Sequence, residues 1–192
     1  MIKRMTALCL SVLLSFMLCA AASGEETFSF ANLEGRSFIF SSGAGAWFTE
    51  LNISVDGSFT GSFHDSDMGD SAEEYPNGKV YYCDFHGILR FAERIDAHTL
   101  KLAIDMLEKD DPEAKEYVED GILFLPEEPY GLSGTDHLLL YLPGAPMEEL
   151  PEDFLFWLQA CSAGELGDTL TVYGLYNEDA LCGFISQPEP AE

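Results

Sequence analysis

The chain has 192 residues, with 34 Asp and Glu against nine Lys and Arg, a formal net charge of −25, and 47% hydrophobic residues. Such a field repels nucleic acid and anionic lipid surfaces and attracts divalent cations and basic partners, so functions resting on a basic face are excluded. The length suits one domain with a substantial core.

Lys3 and Arg4 open the chain, an apolar stretch runs from Met5 to Leu18, and Ala20, Ala21, Ala22, Ser23 and Gly24 precede Glu25 and Glu26. This is the order of a cleavable secretory signal, so residues 1–22 are expected to be removed and the mature protein secreted, with Gly24 as an alternative cleavage point. The apolar run of about 14 residues is too short to cross a hydrocarbon core of about 30 Å as a helix. No later run reaches the length of a span, so no membrane span is expected in the mature chain. Cys19 raises lipoprotein anchoring as a second reading, but Leu18 stands where the processing enzyme takes a small side chain. Export removes two basic residues and no acids, leaving a net charge of −27. Of five cysteines, Cys83, Cys161 and Cys182 remain, an odd count that cannot form a complete disulfide framework. If a bridge forms, Cys161 with Cys182 is the candidate pair, because Cys83 alternates with Tyr81 and Phe85 as a buried strand residue does; three free thiols with no bridge is the alternative.

Residues 23–35 form a lead-in, and Arg36–Ser41 predicts a short strand. From Trp47 to Val55, Trp47, Thr49, Leu51, Ile53 and Val55 share one face, the period-2 pattern of a half-buried strand. Asp56-Gly57 then predicts a hairpin, and Phe59, Gly61 and Phe63 form the inward face of the returning strand. Asn77-Gly78 opens a long strand from Lys79 to about Phe91, rich in Val, Tyr, Phe and Ile. Residues 99–107 predict a strand or a helix, and residues 112–118 one or two helical turns. Further strands are expected over residues 121–125, 137–142, 169–176 and 181–186. One helix is predicted after Pro151, because Leu150, Phe154, Trp157, Leu158 and Cys161 recur at helical spacing, with Gly164 as terminator. Residues 187–192 read as a frayed tail.

Many antiparallel strands with one late helix predict a mainly β domain over residues 36–186: an up-and-down, lipocalin-like β-barrel, or alternatively a two-sheet β-sandwich. Gly45-Ala46-Trp47 resembles the Gly-x-Trp signature of lipocalins and related calycins, which implies a tryptophan closing a barrel floor; the later lipocalin motifs are absent. The segments SGAGAW, DGSFTG, HDSDMGD, YPNG, PYGL, LYLPG, LPEDF and YGLYN together resemble an uncharacterised family of secreted proteins from Gram-positive, clostridia-type bacteria. That resemblance implies an extracytoplasmic domain and no particular activity.

Five acids, Asp65, Asp67, Asp70, Glu73 and Glu74, crowd one segment around Gly69. Calcium takes six to eight oxygen ligands, so this loop is a candidate Ca2+ site; the spacing is not that of an EF-hand, and a solvated acidic loop explains the same residues. Cys83 and His86 are zinc-ligand types, but three residues apart on a strand they face opposite ways. Ser133, Asp136 and His137 are the residue types of a hydrolase triad, yet neighbours in sequence seldom form one, and Gly131–Gly134 reads as a turn. Trp47, Tyr81, Tyr130, Tyr173 and Tyr176, with Asn177, are candidates to line a ligand cavity or stack on sugar rings; aromatics at strand spacing also serve simply as core. PYGL and YGLYN combine tyrosine with glycine near strand ends, where β scaffolds carry binding residues. The expected function is a non-enzymatic extracellular binding module for a small apolar or sugar ligand. The alternatives are a surface interaction domain with a basic protein partner, and an extracellular hydrolase. An internal cavity favours the first, and a filled core with an exposed aromatic patch the second.

Overall fold

The computed structural model describes residues 28–161 and 166–188. The predicted signal, the Gly164 terminator and residues 189–192 lie outside them. The elements are β1 (Arg36–Ser41), β2 (Trp47–Ile53), β3 (Ser58–Asp67), β4 (Lys79–Arg94), β5 (Thr99–Lys109), β6 (Tyr117–Glu119), β7 (Ile122–Pro126), β8 (His137–Tyr141), α1 (Glu152–Cys161), β9 (Gly174–Asn177) and β10 (Cys182–Pro188).

Eight strands close on themselves in the order β1-β2-β3-β4-β5-β8-β9-β10, each antiparallel to its neighbours. Pairing of β3 with β4, and of β1 with both β2 and β10, makes this a barrel and not a sandwich. Closure leaves no edge strand in the ring. Within the ring, strand β4 serves two partners along its 16 residues, β3 and β5. Register shifts at Ile88/Leu89 and Phe91/Glu93 bend it as it pairs with β5. Outside the ring, the β6–β7 hairpin attaches through β7, which runs parallel to the start of β4.

The hairpin between β2 and β3 forms where Asp56-Gly57 places it, but with a longer loop. The Gly57 amide donates to the Ser54 carbonyl at 2.9 Å, and Gly57 alone takes positive φ, at 86°. That is a type I turn with a glycine bulge, so Val55 leaves the strand and is 53% exposed. Residues 99–107 are strand, because Leu100 and Leu102 point into the barrel and cross-strand pairing on both sides overrides local propensity. Residues 112–118 form no helix: Asp111 accepts from the Glu113 amide in a turn, and β6 follows. The strand expected over 169–176 is confined to β9, with Thr169 making only an isolated bridge to Pro146. Gln187 and Pro188 pair with Ser37 and Arg36, so the chain stays in the sheet where a frayed end was expected.

Two apolar clusters divide the molecule. Phe38, Phe40, Phe85, Leu100, Leu138 and Phe184 fill the barrel interior. Leu139, Tyr141, Tyr176 and Ile185, on the opposite faces of β8, β9 and β10, form a second cluster with Phe154 and Leu158 of α1. The helix lies on the outer wall because Gly174 and Gly183 leave room for it. A Cβ at Gly183 would stand 3.1 Å from both the Phe154 ring and the Trp157 Cβ. Glu152 and Asp153 occupy its first turn, favourable against the helix dipole.

Each end of the barrel has its own stopper. At one end, a 3-10 turn (Phe30–Leu33) inside the predicted lead-in drives Leu33 fully out of solvent. Its start is fixed by Ser29, whose hydroxyl accepts from the Ala31 amide while Asn32 Oδ1 accepts from the Ser29 amide. At the other end, the segment between β7 and β8 crosses the mouth as a strap and buries Leu132 among the core residues.

Candidate functional site

The strap owes its position to two buried polar side chains of the barrel wall. Thr49 and Asn177 are both fully buried. The Thr49 hydroxyl donates to the Tyr130 carbonyl at 2.8 Å, and the Asn177 amide donates to the Gly131 carbonyl at 2.9 Å. Asn177 Oδ1 also accepts from the Asp179 and Ala180 amides, so one side chain holds both the strap and the β9–β10 turn. Buried polar groups persist only when their hydrogen bonds are made, and here those bonds organise an irregular loop. Ser133 joins in: its hydroxyl donates to the Pro129 carbonyl at 2.9 Å.

Held this way, Tyr130 lies over the aromatic end of the core, its ring 5.4 Å from Phe40 and 5.5 Å from both Trp47 and Phe63. Trp157 reaches Trp47 from α1 and anchors its indole by donating to the Leu181 carbonyl at 2.7 Å. Beside Tyr130 opens a cleft of about 490 Å³. Phe63 and Cys182 lie at its base, Tyr81 and Tyr130 line it, and Asp65, Glu127 and Glu128 bring carboxylates to it. Burial holds the Tyr130 phenol above its ordinary range, with the charge that Cys182 takes on at alkaline pH and then that of Asp65 adding to the effect. Burial likewise pushes the Cys182 thiol up to about 11, so it stays a neutral thiol at physiological pH.

The sequence candidates therefore separate. Trp47, Tyr130 and Asn177 converge at the strap end, but Trp47 and Asn177 act beneath the cleft and not in its lining. Tyr173 sits at the opposite end, its ring under the Arg36 guanidinium, and lines a separate cleft of about 1200 Å³ with Phe28, Arg94 and Leu142. Tyr176 faces outward, 6.0 Å from Phe154 beneath the helix, and is core to the second cluster. The period-2 rule explains the split: Leu175 and Asn177 point inward and Tyr176 between them outward. Phe63 and Cys182, read from the sequence only as a strand residue and a candidate disulfide partner, and Glu127 and Glu128, not singled out there, also line the cleft; the two acids lie directly before the PYGL segment that did draw notice.

The acidic segment is dispersed. Asp65 and Asp67 belong to β3, and Asp67 accepts from the Gly69 and Asp70 amides in a turn. Asp70 pairs with Lys79, while Glu73 and Glu74 are exposed. Among the described residues no three His, Cys, Asp or Glu side chains gather as a metal-holding group. His86 is on the outer surface against Asp110 at 2.6 Å, and Cys83 is buried in the interior. Cys83, Cys161 and Cys182 are free thiols; Cys161 lies beside Ser41 and Cys182 beside the Ala180 carbonyl. His137 pairs with Asp136 at 2.7 Å, while Ser133 is engaged with Pro129, so these three make no relay. No helix among the described residues is long and apolar enough to cross a membrane. In comparisons with known proteins, no family model, no curated protein and no solved structure matches this chain.

Proposed function

We propose that the chain is an exported, non-enzymatic binding module whose ligand sits in the cleft beside Tyr130, at the mouth of the barrel and not in its lumen. The observation that carries this reading is the cleft itself: about 490 Å³, based on Phe63 and lined by two tyrosines. That volume lies in the range of small-molecule sites, which pair an apolar surface with a few polar groups. The lumen is occupied by large side chains, so a lipocalin-like mode of deep enclosure gives way to capture at the rim. Thr49 and Asn177 preorganise the strap, which lowers the cost of ordering it on binding.

Occupancy is readable from intrinsic fluorescence, because Trp47 contacts Tyr130. A screen of small ligands should yield hits whose affinity falls about ten-fold or more in Tyr81→Ala and Tyr130→Ala. Hits indifferent to both substitutions would remove the cleft as the site. Export is tested by intact mass: the mature protein should begin near Ser23, and retention of Met1 after secretion would overturn that part of the proposal.

A second reading is favoured by one observation. Tyr117 and Phe124 stack at 4.8 Å on the β6–β7 hairpin beside Tyr82, and Tyr117 and Val118 are about half exposed. A filled barrel carrying an outer aromatic patch suits a surface interaction domain. Tyr117→Ser abolishing the protein's association with its native cell surface, with Tyr130→Ala silent, would move the function to that face.

A further inference from the structure

Within the reading of the mouth cleft as a ligand site, we propose that its ligand is a small organic cation, an alkyl- or quaternary-ammonium compound. Three features of the cleft point the same way. No Lys, Arg or His lines it, whereas Arg94 lines the cleft at the opposite end. Glu128 is already matched, 2.6 Å from the Lys109 ammonium, whereas the Asp65 and Glu127 carboxylates make no hydrogen bond or salt bridge among the described residues, Glu127 meeting Lys109 only at longer range. Asp65 is also half-buried, at the register position opposite Trp47 and Tyr81. A carboxylate that faces an aromatic cleft without a salt-bridge partner attracts a cation into it.

The apolar groups agree with the charged ones. Tyr81 and Tyr130 offer ring surface to the cleft, and aromatic faces attract ammonium groups through their quadrupole. An aromatic surface with carboxylates at hand accommodates both parts of an alkylammonium ion, its apolar substituents and its charge. The net charge of −25 concentrates such ligands near the surface and disfavours anions of equal size. A metal ion fits less well, since no metal-holding cluster exists among the described residues and a largely apolar base supplies no oxygen ligands.

The test uses the exported full domain and three probes of matched shape: choline, its uncharged carbon isostere 3,3-dimethylbutan-1-ol, and the anion 3,3-dimethylbutanoate. Titration followed by tryptophan fluorescence and calorimetry should show choline binding at least about ten-fold more tightly than the isostere, and no binding of the anion. Added salt should weaken choline and leave the isostere unchanged. The double variant Asp65→Asn, Glu127→Gln should lose the preference while melting within a few degrees of wild type. If the isostere binds as tightly as choline and depends on Tyr130, the mouth is a ligand site and the cation proposal falls. Should none of the three bind, the cation proposal falls too, and the ligand screen with Tyr81→Ala and Tyr130→Ala decides the mouth reading separately. Saturable binding of an oligolysine peptide without choline binding would overturn the small-molecule assignment in favour of a basic protein partner.

Discussion

The two ends of the barrel solve one problem by different means. Both must stop solvent entering a ring of strands, and both do so by inserting a leucine, Leu33 at one end and Leu132 at the other. Leu33 arrives on a short 3-10 turn whose polar bonds, around Ser29 and Asn32, lie at the surface. Leu132 arrives on an irregular strap whose bonds, from Thr49 and Asn177, are buried inside the wall. Buried polar anchors demand accurate geometry and give accurate geometry in return. The contrast teaches that the first end is a stopper, while the second is a shaped surface, with a compact aromatic cleft beside its plug.

Truncating the plugs should give the largest effects. Leu33→Ala and Leu132→Ala each remove a buried side chain and should cost about 2–5 kcal/mol in urea denaturation. Only Leu132→Ala should also alter ligand binding at the mouth. Equal losses of binding in both variants would erase the distinction between the ends.

Alkaline pH should strike the strap half next. Cys83, which pairs in register with Phe63, and Cys182 both have thiols pushed by burial from near 9 up to about 11. The folded state therefore keeps protons that the unfolded chain releases. This contribution is intact below about pH 9 and is lost as pH rises through about 11, on the order of 2 kcal/mol per thiol. Stability measured from about pH 8 to 11 should fall steeply in wild type and less steeply in Cys83→Ala and Cys182→Ala. The Tyr141 hydroxyl is also pushed upward by burial, so its contribution begins to be lost above about pH 10 and adds to the fall in wild type and thiol variants alike. An unchanged slope in a variant carrying both Cys83→Ala and Cys182→Ala would show that these thiols titrate as ordinary ones.

Loss of the anchors is expected to be smaller but more local. Asn177→Ala leaves the Gly131 carbonyl and two turn amides without their partner, at a cost of about 1–3 kcal/mol. Hydrogen exchange should speed up in residues 129–134 and 178–180, and the 3-10 turn at the far end should be untouched. Smallest of all should be Ser29→Ala at that far end, about 0.5–1 kcal/mol, because its bonds are exposed and water replaces them. A larger loss for Ser29→Ala than for Asn177→Ala would invert the comparison.

Most of the wall was legible in the sequence. Arg36–Ser41 matches β1 residue for residue, and the helix was foreseen from Phe154, Trp157 and Leu158. The site was legible only in part. Tyr130 was found through its glycine neighbour, but Tyr173 and Tyr176, three residues apart in one strand region, went to the far end and to the outer wall. Composition could not separate them, because an aromatic side chain satisfies a lumen, a rim and a helix interface equally well.

The sequence by itself determined where strands begin and turn, because alternation, glycine and proline act over a few residues and need no distant partner. It also determined the charge, and hence the kind of partner the surface favours. Tertiary structure decided closure into a barrel, since the pairing of β10 with β1 joins residues about 150 apart through backbone bonds that carry no side-chain signature. It alone decided which acids remain partnered: Asp67 and Asp70 were taken by a turn and by Lys79, and Asp65 was left facing the cleft. Whether a carboxylate is spent on structure or left for a ligand depends on what the fold brings within about 3 Å of it, and that is a property of contacts, not of order along the chain.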